Sequence, residues 1–351
     1  KVSKFGGTSL CDAKAVRRAV DIVKSDASRR AVVVSAPGRR FPGDEKITDV
    51  LLRLGFPDAD REKLVRTVKK RFDTMIKELG LKLDFSPYYA ELLFAAERGD
   101  TEYVLSRGEY FSARIVSALS GYDFIDAADV IVFEKDGAFD FEKSAENICA
   151  LTRDVYGFVM PGFYGKDGGG NVKTFPRGGS DITGAIVAGA IGADMYENFT
   201  DVRGFMFADP KYVEEPRVIR KMTYAQARFL SAYGSGVLQE DTVLYVRGRE
   251  IPVNVKSTFL PYDSGTVVCA EGDVGQSGIV GIAGKKLSGE RAALAICFDK
   301  GEKSVFDGVM KTLASRGIGV KKTEFCGEGA VLYVRGEHLD KAMRALARKY
   351  N

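Results

Sequence analysis

Residues 172–210 read VKTFPRGGSDITGAIVAGAIGADMYENFTDVRGFMFADP. The segment RGGSD (177–181) places a cation and two glycines before Ser180 and Asp181, and small and apolar residues over 182–193 then predict a helix. The first N–H groups of a helix have no partner within it and bind anions. The segment therefore predicts an anion site at a helix start, although Asp181 would also serve as an ordinary helix cap.

Acidic turns follow the next predicted strand, at 194–199. They are Thr200-Asp201 and Ala208-Asp209-Pro210. Ligands of open α/β sheets bind beyond the carboxyl ends of the strands, so acidic residues just past a strand are candidates for a ligand site. The alternative is that Asp209-Pro210 is only a chain-stopping turn.

A second glycine turn lies at the beginning of the chain. A predicted strand over 2–5 leads into Gly6-Gly7, and a predicted helix over 13–23 follows. Glycines let backbone N–H groups approach phosphate oxygens closely, and Lys4 would bring a cation to the same place. The sequence contains neither GxxxxGK[ST] nor GxGxxG, which excludes the standard P-loop and dinucleotide motifs.

Composition excludes several classes of protein. The 351 residues are 45% hydrophobic and 28% charged, as in ordinary globular proteins of two domains or more. A net charge of +4, spread along the chain, predicts no nucleic-acid surface. Five scattered cysteines without a CxxC pair, no signal peptide and no membrane-spanning apolar run favour a cytoplasmic protein. His338 is the only histidine, and its position predicts no catalytic role.

Strand and helix patterns alternate as far as residue 269, which predicts a sheet covered by helices on both faces. Within this region we expect 124–133 to be a strand and the segment SRGE (106–109) to precede a helix over 111–119. A polar, glycine-containing linker is expected at 271–277. Beyond it, residues 292–350 predict β-α-β-β-α, a ferredoxin-like unit whose final strand is missing.

Together these motifs resemble the aspartate kinases of the amino-acid kinase superfamily. They occur in the expected order as KFGGTS (4–9), SRGE (106–109), GFYG (162–165), RGGSD (177–181), TD (200–201) and ADP (208–210). The resemblance implies a three-layer αβα sandwich with a mainly parallel central sheet as a catalytic domain at 1–270. It also implies an ACT-like regulatory domain at 278–351.

The implied activity is transfer of the γ-phosphoryl group of MgATP to the β-carboxylate of L-aspartate. The product is 4-phospho-L-aspartate, a precursor of lysine, methionine and threonine. An ionised carboxylate is already a nucleophile, so catalysis reduces to aligning two anions and neutralising the charge between them. This fits a chain with a single histidine.

The resemblance also implies roles for individual residues. Lys4 and Asp181 are the implied catalytic pair, with no metal ligand assigned to the protein. The implied aspartate pocket comprises Ser35, Thr48, Glu109, Phe163, Arg177 and Ser180. The implied nucleotide site comprises Lys4, Gly6, Gly7, Thr200, Asp201, Met206 and Asp209. Several positions depart from the family pattern. Among them, Gly236 replaces a frequent lysine and Met206 a frequent tyrosine.

The expected ligands are L-aspartate and MgATP, and the expected assembly is a homodimer without nucleic acid or membrane partners. An ACT unit without an edge strand would expose unpaired backbone, which favours dimerisation. Two alternatives stay open. One is an amino-acid kinase acting on another carboxylate, and the other is a catalytically silent amino-acid sensor of the same fold.

Overall fold

The computed structural model describes residues 1–176, 178–238, 240–270, 278–299 and 303–351. The chain divides into two compact units, Lys1–Asp201 and Val202–Asn351. Each unit has a hydrophobic core of its own. The predicted linker at 271–277 lies outside the described residues, and the predicted domains 1–270 and 278–351 stay predictions.

The first unit alternates strands and helices. Its strands are β1 (Val2–Phe5), β2 (Ala31–Val34), β3 (Asp123–Phe124), β4 (Val132–Phe133), β5 (Phe139–Asp140), β6 (Phe158–Pro161), β7 (Tyr164–Asp167), β8 (Val172–Thr174) and β9 (Tyr196–Thr200). Its helices are α1 (Ala13–Lys24), α2 (Ile47–Leu54), α3 (Arg61–Leu79), α4 (Ser86–Glu97), α5 (Thr101–Ser120), α6 (Ala127–Val130), α7 (Phe141–Thr152) and α8 (Gly179–Ala190).

Five strands of this unit lie side by side in the order β9-β1-β2-β6-β3, and each neighbouring pair is parallel. Val32 and Val34 on β2 belong to a core shared with α1 to α5, whereas α8 packs against β1 and β2. Parallel strands buried on both faces are built from continuous apolar runs such as AVVV in β2. The predicted parallel sheet with helices on both faces is confirmed.

A smaller sheet of the first unit has the order β5-β4-β7-β8. Its strands β7 and β8 are antiparallel and joined by the turn after Asp167. The Asp167 carboxylate accepts hydrogen bonds from the backbone N–H groups of Gly169 and Asn171, at 2.8 and 2.9 Å. This local capture of amides is the usual reason that aspartate begins a turn.

The second unit contains strands β10 (Lys221–Thr223), β11 (Val253–Ser257), β12 (Thr266–Cys269), β13 (Ile279–Lys286), β14 (Arg291–Phe298), β15 (Lys322–Cys326) and β16 (Gly329–Arg335). Its helices are α9 (Tyr224–Leu230), α10 (Glu240–Arg247), α11 (Lys303–Ser315) and α12 (Leu339–Tyr350). Strand β12 lies between β10 and β11. A separate antiparallel sheet has the order β13-β14-β16-β15, and its core includes residues of α11 and α12.

This antiparallel sheet is consistent with the expected ACT-like module, but one expectation about it was wrong. The strand predicted to be missing is present, because β13 pairs antiparallel with β14 at the edge of the sheet. It precedes the unit in sequence instead of following it. The predicted unpaired backbone beside β14 is therefore satisfied within the chain, and it no longer supports dimerisation.

Two local predictions were also wrong. The segment 106–109 does not precede a helix but lies inside α5, which begins at Thr101 where Asp100 accepts a hydrogen bond from the Tyr103 N–H. Residues 124–133 are not one strand, because Asp126 caps the short helix α6 by accepting from the Ala128 N–H at 3.0 Å. In both places an aspartate cap begins a helix that the apolar pattern did not reveal.

Among the described residues, no helix combines the length and the apolar character that a membrane crossing requires.

Candidate active site

The carboxyl ends of four parallel strands meet at one edge of the first unit. Phe5 is in register with Val34 on β2 and with Phe199 on β9, and Val34 is in register with Pro161 on β6. The segments that leave this edge start at Gly6, Ser35, Gly162 and Asp201. Each of these is the residue that directly follows its strand, so the motifs from distant parts of the sequence converge where ligands of α/β sheets bind.

Lys4 and Asp181 form an ion pair at this edge. The Lys4 ammonium nitrogen lies 2.7 Å from Asp181 Oδ1, and the two side chains are 8% and 18% exposed. Lys4 is supplied by β1 and Asp181 by the first turn of α8. The two residues that the resemblance implies as a catalytic pair are thus in contact, in a partly buried setting where charge interactions are stronger than in water.

Asn198 completes this group, and sequence reasoning missed it. It lies on β9 directly opposite Lys4 in the parallel register, and its Nδ2 donates to Asp181 Oδ1 at 2.9 Å. Asn198 is only 3% exposed, and its Oδ1 has no hydrogen-bond partner among the described residues. The available signal was a buried-type strand, YENFT, that carries an amide on the same face as the Lys4 position.

In the glycine turn after β1, the Gly6 N–H does not have the predicted role of a donor to phosphate. The Gly6 N–H donates to the Phe199 carbonyl at 3.1 Å and is not available to a ligand. Gly7 begins a 3-10 helix, Gly7–Leu10, whose first amides have no partner within the helix. A Cβ on Gly7 would lie 2.9 Å from the Ala36 carbonyl oxygen, so glycine allows the turns after β1 and β2 to touch.

Glu109 is a buried acid on α5. It is 4% exposed, and its Oε2 has no hydrogen-bond partner among the described residues. Burial raises the pKa of Glu109 to about 8, opposed in part by a backbone hydrogen bond from Ala36 and by the positive charge of Lys4. A buried acid with an open oxygen and a raised pKa is typical of a ligand site.

The start of α8 is packed tightly against the segment after β6. Gly178 has a positive φ of 82° and precedes the helix. A Cβ on Gly162 would lie 2.7 Å from Ser180 Cβ, and the Phe163 N–H donates to Thr183 Oγ1 at 3.0 Å. Phe163 itself has a φ of 80°, a strained value for a non-glycine residue that often marks a functional site.

The remaining predicted residues lie in several environments. Ser35 is half-buried and continues β2, its N–H donating to the Phe5 carbonyl at 3.1 Å. Thr48 is exposed in the first turn of α2. Thr200 Oγ1 donates to the Asp201 carboxylate at 3.1 Å. Arg177, the predicted partner of a substrate carboxylate, lies outside the described residues.

Two predicted nucleotide residues belong to the second unit. Met206 is half-buried and forms an isolated antiparallel bridge with Val218. The Asp209 carboxylate accepts a hydrogen bond from the Lys211 N–H at 2.8 Å. That contact is the one expected of a simple turn.

Within the described part of the chain, no group of three or more histidine, cysteine, aspartate or glutamate side chains is arranged to hold a metal ion. The site in the first unit instead combines a lysine, a carboxylate, a buried acid and a helix start. These are groups that bind anions, neutralise transferred charge and recognise an ammonium group.

The chain is similar in sequence to kinases of other organisms. The model of the amino acid kinase family matches residues 1–257. Aspartokinase 3 of Bacillus subtilis is 34% identical over 301 residues, which are 81% of this chain and 66% of that protein. Lysine-sensitive aspartokinase 3 of Escherichia coli is 30% identical over 299 residues, 76% of this chain and 64% of that protein. The chain thus spans just under two thirds of the length of these relatives.

Solved structures agree with the sequence comparisons. The crystal structure of Clostridium acetobutylicum aspartate kinase matches with a TM-score of 0.94 and 29% identity, covering 100% of both chains. Escherichia coli aspartokinase III in complex with aspartate and ADP matches with a TM-score of 0.71 and 26% identity, covering 95% of this chain and 78% of that one. Since the family model covers well over half of its residues, the chain belongs to the amino acid kinase family.

Proposed function

We propose that this protein is an aspartate kinase, which phosphorylates the β-carboxylate of L-aspartate with MgATP to give 4-phospho-L-aspartate. The observation that carries the proposal is the 2.7 Å pair between Lys4 and Asp181 at the carboxyl edge of the parallel sheet. The similar Escherichia coli enzyme was solved with aspartate and ADP, which are the expected substrate and product nucleotide. On this proposal the reaction is the first step toward lysine, methionine and threonine.

Lys4 would neutralise the negative charge that develops on the transferring phosphoryl group. Asp181 would hold the Lys4 ammonium in place, and Asn198 would hold Asp181 through its 2.9 Å hydrogen bond. The substrate carboxylate attacks without a general base, so positioning and electrostatic stabilisation supply the catalysis. Mg²⁺ would enter on the phosphates of ATP, as it commonly does in kinases.

Aspartate recognition would involve both buried and exposed groups. Ionised Glu109 would bind the α-ammonium group through its open Oε2. Arg177 would bind a substrate carboxylate in a bidentate manner. The remaining members of the proposed pocket are Ser35, Thr48, Phe163 and Ser180.

The proposed nucleotide site begins at Gly7, the first residue of the 3-10 helix. Gly6 would contribute to the shape of the site but not a hydrogen-bond donor, because its N–H already donates to the Phe199 carbonyl. Its further members are Thr200, Asp201, Met206 and Asp209. The Thr200 to Asp201 hydrogen bond would orient the acidic turn after β9.

The domain assignment and the assembly are also proposals. Residues 1–270 would form the catalytic domain and residues 278–351 an ACT-like regulatory domain. The second assignment is supported by the four-stranded antiparallel sheet with two helices. A cytoplasmic homodimer without nucleic acid partners is the assembly we propose.

The proposal is tested by measuring ADP release with a panel of acids at matched concentrations: L-aspartate, L-glutamate, N-acetyl-L-glutamate and no acid. We expect ADP release that depends on aspartate. We also expect hydroxylamine to trap the acyl phosphate product as a hydroxamate. Turnover on glutamate or N-acetylglutamate alone would show a different amino-acid kinase. Aspartate binding without turnover in calorimetry would show a silent sensor.

A further inference from the structure

A cleft with a volume of about 510 Å³ lies between α3 and the segment at 40–47. Its charged lining residues are Arg40, Asp44, Glu45, Lys63, Arg66, Lys70 and Arg71. None of these residues belongs to the proposed catalytic, aspartate or nucleotide sites. The volume is within the range of small-molecule sites, roughly 300 to 1,000 Å³.

Helix α3 directs one polar face into the cleft. Lys63, Arg66 and Lys70 recur at helical spacing with Thr67 and Thr74, and the apolar residues of α3 pack on its other side into the core. A polar helix face is most often simply solvated. Here, however, the segment at 40–47 stands opposite this face and makes it one wall of a cleft.

Cations outnumber carboxylates in the cleft, five to two, and the two carboxylates are already engaged. Asp44 accepts from Arg40 at 2.7 Å and from Arg71 at 2.8 Å, and Glu45 accepts from Arg53 at 2.7 Å. In the described ranges, neither Lys63 nor Lys70 has a carboxylate within 4.0 Å. Arg66 pairs with Glu62 at 3.1 Å, so within the described residues the unpaired positive charge of the cleft is that of Lys63 and Lys70.

Arg71 gives the cleft a rigid base. It is 7% exposed, and it donates to the Gly38 carbonyl at 3.1 Å and the Glu45 carbonyl at 3.1 Å in addition to Asp44. Burial and the nearby Arg40 charge lower the pKa of Arg71, so an added negative charge here would relieve repulsion. Gly38 in turn donates to the Gly7 carbonyl at 2.8 Å, which links this base to the glycine turn of the candidate active site.

We propose that this cleft is a second binding site, which holds a small polyvalent anion between Lys63, Arg66 and Lys70 on α3 and Arg40 opposite them. Guanidinium groups bind phosphate or carboxylate oxygens in pairs, and ammonium groups add point charges. The shared chemistry of the ligand is several negatively charged oxygens, borne by phosphate or by carboxylates. Binding would stabilise the segment at 38–47, which connects Ser35 with Thr48 of the proposed aspartate pocket.

The test is calorimetric titration of the full chain with pyrophosphate and, separately, with citrate, with KCl added to hold the ionic strength constant. The Lys63→Ala/Lys70→Ala variant removes the unpaired cations from an exposed face. The matched control is Lys77→Ala/Lys82→Ala, which removes two exposed lysines outside the cleft. Circular dichroism checks that all three proteins are folded.

We expect saturable binding of at least one anion to the native chain and to the control, weakened at least ~10-fold in Lys63→Ala/Lys70→Ala because charged hydrogen bonds are lost. Binding of pyrophosphate alone assigns a phosphate ligand, and binding of citrate alone assigns a polycarboxylate. Equal affinity in all three proteins would place the anion elsewhere and overturn the proposal. So would the absence of saturable binding of either anion to the native chain.

Discussion

The Asp181 carboxylate oxygen Oδ1 accepts from two donors at once, the Lys4 ammonium and the Asn198 amide. Both donors come from neighbouring parallel strands and are directly opposite in register, so the sheet itself sets their separation. These two contacts therefore fix the position of the Asp181 side chain, which lies in the first turn of α8. Sheet register thus determines the position of the lysine charge to which we assign catalysis.

Replacing Asn198 with alanine removes one of these two donors and leaves the other, Lys4, in place. We expect kcat to fall about tenfold, which is a mild loss for a misplaced catalytic group, with little change in KM for aspartate. Steady-state kinetics measures both parameters, and the midpoint of thermal unfolding serves as the control for folding. An unchanged kcat in a folded variant would show that Asn198 does not position Asp181.

The proposed contact between Glu109 and the α-ammonium group would make aspartate binding depend on pH. Its pKa of about 8 means that the carboxyl is protonated and neutral at pH 7, so an ammonium group can pair with it only after the proton leaves. We expect KM for aspartate to fall about tenfold per pH unit as the pH rises toward 8 and then to level off, since one proton is released. In Glu109→Gln we expect a raised KM that does not change over this range. A flat KM profile for the native protein would contradict the assigned role.

The raised pKa of Glu109 also makes the free energy of unfolding depend on pH. The folded-state pKa of Glu109 is raised above the ordinary value of 4.5 for a glutamate, so the native protein binds the proton more tightly than the unfolded chain does. Its contribution to the free energy of unfolding is therefore complete below about 4.5 and is lost as the pH rises to about 8.

At the scale of elements, α5 shows how a helix is placed for function. Gly108 lies in its interior, where glycine costs about 1 kcal/mol relative to alanine. A Cβ there would lie 2.7 Å from Ala36 Cβ and 3.2 Å from Leu51 Cδ1. Glycine thus lets α5 approach the turn after β2 closely enough to bring Glu109 against Ala36.

Replacing Gly108 with alanine is expected to destabilise the protein by about 1 to 3 kcal/mol despite the better helix propensity, because the added methyl group overpacks the contact. Urea unfolding measures the change. Gly248→Ala is the control, because a Cβ at Gly248 meets nothing within 4 Å. A Gly108→Ala protein as stable as the native one would show that α5 can shift without cost.

The sequence predicted those elements whose signals are local. Strand β1 and helix α1 are examples, because the strand runs into a glycine turn and Asp12 caps the helix that follows. It did not predict β13, because a strand that completes a sheet from outside the expected unit has no local mark of its partner. Asn198 was missed for a related reason, since its role exists only through register with Lys4.

For the molecule as a whole, a buried ion pair ties the parallel sheet together away from the candidate site. Arg29 donates to both carboxylate oxygens of Glu197, at 2.6 and 3.0 Å, and Ser3 donates to the same carboxylate at 3.1 Å. Arg29 and Glu197 are 7% and 2% exposed. Removing either partner would leave an uncompensated charge in the interior.

We therefore expect Arg29→Met to lower the free energy of unfolding by about 3 to 5 kcal/mol, as for other broken buried pairs. The exposed pair of Arg53 and Glu45 provides the control, and Arg53→Met should cost at most about 1 kcal/mol. Thermal and urea unfolding measure both. Equal effects of the two substitutions would show that the buried pair contributes no more than a surface one.

We propose that residues far apart in the sequence form one phosphoryl-transfer site around Lys4 and Asp181. The most direct measurement is kcat for aspartate-dependent ADP release by Lys4→Ala, compared with Lys14→Ala, which removes an exposed lysine of α1. We expect a loss of at least ~100-fold for Lys4→Ala, because an electrostatic contact to transferring charge contributes several kcal/mol. For Lys14→Ala we expect native kcat. A folded Lys4→Ala protein with undiminished kcat would show that Lys4 does not act in phosphoryl transfer.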